Sequence, residues 1–118
     1  MATVTIFPIA STSTLPRTSA SVSYSGAGAA QFQVLSNTWV SDSAAIAVDF
    51  QVQQSFDSGA SWLDMCATTW QPGALTDKGN LPALVCTASS TDTKGSRLLR
   101  AVLSASAPIN VGISATVA

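Results

Sequence analysis

The acidic side chains of this sequence are six aspartates, Asp42, Asp49, Asp57, Asp64, Asp77 and Asp92; there is neither glutamate nor histidine. Without an imidazole, neither a Ser-His-Asp nor a Cys-His nucleophile system can be assembled within the chain. A pair of carboxylates is the one acid–base device these residue types permit. The aspartates fall in turns or on the polar parity of strands, where a solvated carboxylate is the commoner outcome. Cys66 and Cys86 form no close pair and have no histidine to join them, which disfavours a structural zinc site. The sequence therefore offers no catalytic, cofactor-binding or metal-ligating residue, and neither enzymatic activity nor a cofactor is expected.

The two cysteines are equidistant from Thr76, the centre of a polar loop, so antiparallel strands on either side would bring them face to face, as in some cross-strand disulfides. In a reducing cytoplasm they would stay thiols, buried as small apolar residues, and free thiols are the expectation. Trp39, Trp62, Trp70 and Tyr24 have the chemistry of a sugar platform, as in carbohydrate-binding modules of this size. In a small β-sandwich such rings more often fill the core or pack between hairpin arms.

The element that must position most of these groups is the stretch from Ala44 to Trp70. Ile46, Val48, Phe50 and Val52 share one parity and Ala47, Asp49, Gln51 and Gln53 the other, the period of a strand with one buried face. A second arm ends at Trp70, and Asp57-Ser58-Gly59 turns between them. Ser55, Asp57, Gly59, Ser61 and Trp62 stand as S-x-D-x-G-x-S-W, which resembles the Asp-box of bacterial sialidases. The resemblance implies a local brace, in which the carboxylate holds turn amides and glycine takes the bend. One copy in 118 residues is too little for a propeller.

Elsewhere the pattern is also that of short strands. Thr3 to Ile9 alternates before Pro8 interrupts it, and Ser11 to Ser19 reads as a surface loop or an extended arm. Residues 1–19 are thus set apart as an amino-terminal strand and arm, and residues 20–118 as the sandwich domain. Ala20 to Tyr24 and Gln31 to Leu35 are strands around Gly26-Ala27-Gly28. That turn lacks the third glycine and the following helix of a dinucleotide fingerprint. Gln71 to Asn80 is a loop, with room for at most a brief helix between Pro72-Gly73 and Gly79. Leu81 to Ala88, Arg97 to Ser106 and Ile109 to Val117 complete the count. On the Arg97 strand, Arg97 and Arg100 point to opposite faces. Seven or eight strands without a helix predict an all-β single sandwich, jelly-roll-like, with immunoglobulin-like connectivity as the alternative.

Composition narrows the partners. Only 9% of residues are charged and the net charge is -1, with five Lys and Arg against six acids, so there is no electrostatic footprint for nucleic acid or an anionic membrane. A surface so weakly self-repelling suits a subunit packed in an assembly better than a free monomer. The amino-terminal MATVTIFPIASTSTLP has no basic start and no continuous apolar run, and no window reaches the roughly 18–20 apolar residues of a membrane span. Synthesis in a host cytoplasm is the expectation.

The order Val48-Asp49-Phe50-Gln51-Val52-Gln53-Gln54-Ser55, a D-x-G-x-x-W hairpin, Arg97-Leu98-Leu99-Arg100-Ala101-Val102 and a last apolar strand resembles small virion proteins of tailed bacteriophages, of the capsid decoration or cement type. The likeness spans residues 30 to 117 in pattern, and Leu98 stands where related sequences often place an aromatic. It implies a non-enzymatic jelly-roll subunit, commonly a homotrimer, that binds the major capsid protein on the outside of the shell. A carbohydrate-binding module and a phage tail or fibre component are the alternatives.

Overall fold

A computed structural model describes residues 2–34, 47–70, 83–88 and 94–117. Nine strands occur among them: β1 (Ala2–Thr12), β2 (Arg17–Thr18), β3 (Val22–Tyr24), β4 (Ala29–Val34), β5 (Val48–Ser55), β6 (Leu63–Trp70), β7 (Leu84–Thr87), β8 (Arg97–Ala105) and β9 (Ile109–Val117). They form two antiparallel sheets, β1-β9-β4-β7 and β2-β8-β5-β6, with β3 following β2 along β8. If β2 and β3 count as one interrupted strand, the chain passes from sheet to sheet at every step except the β5–β6 hairpin. That wrapping is a jelly roll. Immunoglobulin connectivity, in which about half of the successive steps stay within one sheet, does not describe it.

The period-2 patterns decide which faces meet. The buried positions include Val48, Phe50 and Val52 on β5, Leu99, Ala101 and Leu103 on β8, and Val111, Ile113 and Ala115 on β9. Phe50 lies at the centre, its ring 5.3 Å from Trp70, 5.4 Å from Phe32 and 6.4 Å from Phe7. It thus ties β1, β4 and β6 to β5, and aromatic pairs at such spacings add to the hydrophobic term of burial.

The amino-terminal stretch is built into both sheets. β1 pairs with β9 from Ala2 to Thr12, with register shifts on either side of Phe7. The chain then crosses the sandwich edge, and Arg17 and Thr18 pair with Leu103 and Val102 of β8. The terminal strand is anchored as its apolar parity predicts, pairing with β1 on one side and β4 on the other.

The expectation of free thiols is overturned, because Cys66 and Cys86 form a disulfide. The residues do face one another, but β6 and β7 belong to different sheets, so the bond joins the two layers and not neighbouring strands. Both are outermost strands on the same edge, and the Cα atoms lie 6.2 Å apart, inside the roughly 4.4–6.8 Å a disulfide spans. Composition cannot reveal that proximity, since it depends on which sheet each strand joins.

Candidate functional site

One end of the sandwich is assembled by three turns, which follow β3, β5 and the approach to β8. Its centre is Arg97, the first residue of β8 and 5% exposed. Its Nε and Nη2 donate to the Gly95 carbonyl at 3.1 and 2.9 Å, and Nη1 donates to Gln54 Oε1 at 3.0 Å. The guanidinium lies 4.7 Å from the Phe56 ring centroid and 5.7 Å from that of Tyr24. Gly26 closes over it at φ +83°, where an added Cβ would fall 2.7 Å from the Gly95 carbonyl oxygen and 2.8 Å from Arg97 Nη2. No larger residue fits that approach. Tyr24 donates its hydroxyl proton to the Gly28 carbonyl and accepts from the Ala88 amide, so this buried ring braces two turns. A cavity of about 220 Å³ beside Arg97 is lined by Ser23, Ser55, Phe56, Ser58, Ser96 and Leu98.

The Asp57 turn adjoins this end and behaves as its motif predicts. Ser61 donates to the carboxylate twice, from its hydroxyl to Oδ2 at 2.5 Å and from its amide to Oδ1 at 2.9 Å. Ser55 donates its hydroxyl to Oδ1 at 2.8 Å and accepts the Gly59 amide at 2.8 Å. These bonds, the Ser61 hydroxyl foremost, hold the Asp57 pKa down from 3.8 to about 2. Ser58 and Gly59 take positive φ of 61° and 92°, the bend for which the glycine is suited. The arrangement is a brace, with every carboxylate bond directed back into its own hairpin.

The second polar region is the outer face of β8-β5-β6. Three rows cross it: Ser104-Asp49-Thr69, Val102-Gln51-Ala67 and Arg100-Gln53-Asp64. Thr69 donates its hydroxyl to Asp49 Oδ1 at 2.8 Å. Gln51 donates through Nε2 to the carbonyls of Val52 and Cys66 at 3.1 and 3.2 Å. In the third row Arg100 Nε donates to Gln53 Oε1 at 2.9 Å, and Gln53 Nε2 donates to Asp64 Oδ1 at 3.2 Å. Arg100 also lies over the Trp62 ring, 4.2 Å from its centroid. A groove of about 410 Å³ runs between the first two rows.

Among the described residues the carboxylates are not brought together. Asp64 pairs with Gln53, four positions along β5 from Asp49. At the rise of a strand that is about 13 Å, beyond the roughly 5–9.5 Å over which two carboxyls share one glycosidic bond. Asp57 is engaged in its turn. Among the described residues no group of three His, Cys, Asp or Glu side chains could hold a metal ion. Asp42, Asp77, Asp92 and Trp39 lie outside the described residues, as does the loop expected over Gln71 to Asn80.

Of the four aromatic residues with platform chemistry, Tyr24 and Trp70 are buried at 1% and 2% exposure and belong to the core. Trp62 is half-buried and carries Arg100 on its ring. Arg97 and Arg100 do point to opposite faces, the first inward to the turn end and the second onto the polar rows. Arg17 was not singled out by sequence, although the structure gives it four contacts: Nη1 donates to Thr12 Oγ1 at 2.7 Å and to the Ala10 carbonyl at 3.4 Å, Nη2 donates to the Pro8 carbonyl at 3.2 Å, and the guanidinium lies 5.1 Å from the Phe7 ring centroid. The only local signal was a lone cation in an uncharged loop.

Comparison of the chain with family models, with curated proteins and with solved structures finds no match.

Proposed function

We propose that this protein is a non-enzymatic structural virion protein, a decoration or cement subunit that binds the major capsid protein on the outside of a tailed-bacteriophage shell and acts as a homotrimer. It would need no cofactor, nucleic acid or membrane. The observation that carries the reading is the outer edge of β1. Among the described residues this strand pairs with β9 alone, and its first half bears Thr3, Val4, Thr5 and Ile6 with no charge to deter a neighbour. Val4 is 45% exposed. Free proteins usually blunt a long edge with charge, proline or a covering loop. Here Pro8 and Arg17 protect only the second half, so the first half is left as a template for a partner's strand.

The outer face of the β1-β9-β4-β7 sheet supports the same reading. Thr5, Gln31, Gln33, Asn110, Ser114 and Thr116 lie on it, and none is ionisable. Covering such a face desolvates no charge, which keeps the cost of a broad contact low. Many copies on a symmetric lattice could then hold through individually modest contacts.

The test is co-sedimentation with undecorated capsids. Deleting residues 2–16 would remove β1 from the sandwich and so measure folding. A V4K/T5K variant instead places charge on the open edge while leaving the core intact. We expect wild-type protein to pellet with shells and this variant, at an unchanged melting temperature, to stay in the supernatant. Equal pelleting would discard the edge, failure of wild-type protein to bind any shell would discard the function, and a monomeric mass by light scattering at high concentration would discard the trimer.

A further inference from the structure

We propose that the outer face of β8-β5-β6 is a binding site for a neutral oligosaccharide, seated in the groove between the Asp49 and Gln51 rows. The inference goes beyond the capsid reading and does not depend on it. Its groove, about 410 Å³ in volume, falls within the ~300–1,000 Å³ of small-molecule sites. It lies on strands of one sheet, a rigid support, and not on a loop.

The chemistry of the lining selects the ligand. Thr69 occupies Asp49 Oδ1, which leaves Oδ2 as a charged acceptor on a residue that lines the groove. Gln51 spends Nε2 on two backbone carbonyls, which fixes the amide plane and leaves Oε1 as a second acceptor. Ser104, opposite Asp49 on β8, adds a hydroxyl. A ligand here must therefore bring donors, and a ring with several hydroxyls brings them to acceptors two positions apart on β5, about 6.6 Å by strand rise. Phosphate and carboxylate ligands bring only acceptors and meet Asp49 as a like charge. A metal ion would find a single carboxylate, fewer anionic ligands than hard cations usually gather.

Between the polar groups, Val102 and Ala67 flank Gln51 and form an apolar floor. A pyranose has the matching shape, with hydroxyls at its rim and C–H groups on its faces. Trp62 is not part of this site, since its ring already carries Arg100. The platform thus comes from aliphatic side chains on the sheet, and the orientation from a carboxylate and an amide whose other atoms are tied down.

The test is an NMR titration of the intact oxidised protein with maltotetraose, cellotetraose and mannotriose at millimolar concentration, alongside a neutral tetrapeptide. We expect at least one glycan to shift the amide signals of Asp49, Gln51, Thr69 and Ser104 while those of β9 stay still. Asp49→Ala should weaken that binding about tenfold or more, the loss of one hydrogen bond to a charged acceptor. A Gln53→Ala control, one row away, should bind as wild type. No shift with any glycan, shifts that survive Asp49→Ala, or shifts produced by the tetrapeptide alone would each overturn the proposal.

Discussion

Along one edge of the sandwich the outermost strands β6 and β7 are joined by the Cys66–Cys86 bond; along the other, β1 and β2 meet through the guanidinium of Arg17. Each edge has a break in its ladder, at Val52/Gln53 beside Cys66 on one side and around Phe7 on the other; the first edge carries the covalent link, while the second is held by side-chain donors. On the β1 side the ladder to β9 skips from Phe7 to Ala10, passing Pro8, which has no N–H to give. Arg17 supplies donors to the carbonyls of Pro8 and Ala10 and to the buried Thr12 hydroxyl, so the bulge does not leave them bare. On the β6 side β7 has only four residues, too few to hold the edge by pairing alone, and the disulfide supplies what a longer strand would. Closure by hydrogen bonds depends on local geometry; closure by sulfur depends on the redox state of the surroundings.

The strongest way to break this comparison is to reduce the bond. A cross-link over a separation of 20 residues restricts the unfolded chain by about 3 kcal/mol in the loop-entropy account. Dithiothreitol, or a C66A/C86A variant, should lower the urea midpoint by that equivalent. Amide exchange should rise in β6 and β7 and stay unchanged in β1. An unaltered midpoint would mean that packing around Trp70 closes the edge unaided.

The opposite edge should respond to Arg17→Ala with a smaller loss, about 1–2 kcal/mol for hydrogen bonds that are half exposed. Exchange should then rise in β1 and the facing part of β9, with β6 unaffected. Arg17→Lys should not restore stability, because a single ammonium cannot present donors to Pro8, Ala10 and Thr12 in the plane of a fork and still lie over Phe7. Full rescue by lysine would reduce the role of Arg17 to charge alone.

The legibility of these features in the sequence follows their range. Val48, Phe50 and Val52, or Val111, Ile113 and Ala115, announce a buried face through period 2, and the last strand falls where that parity places it, Ile109–Val117. The Asp57 turn is equally local, because its donors Ser55 and Ser61 lie within four residues. Sheet membership is not local. That Cys66 and Cys86 meet across the layers, that Arg17 reaches back to Pro8, and that Asp49, Gln51 and Ser104 share a groove all depend on strand order. The aromatics follow the commoner expectation of core packing, since Trp70 ends a strand that turns it inward onto Phe50, 5.3 Å away.

The finest distinction between the edges comes from acid, through the hairpin that feeds β6. Asp57 has its pKa lowered from 3.8 to about 2 in the folded chain. A depressed carboxylate stabilises the fold fully at pH values above its unfolded pKa, and that contribution drains away as pH falls toward the folded one. The window is therefore between about pH 4 and pH 2. Protonation there releases the Ser61 and Ser55 donors and loosens the β5–β6 turn, whereas the Arg17 edge contains no group that titrates in this range among the contacts described for it. In the oxidised protein Cys66 still holds β6 from its middle, so the indole N–H signal of Trp62 should change little across the window. In the reduced protein the turn adds to the β5–β6 ladder and the Trp70 packing that still hold β6, and the same signal should broaden or move. Asp57→Asn should flatten that response. A step of equal size in both redox states, or one that persists in the asparagine variant, would separate the turn from the edge it leads to.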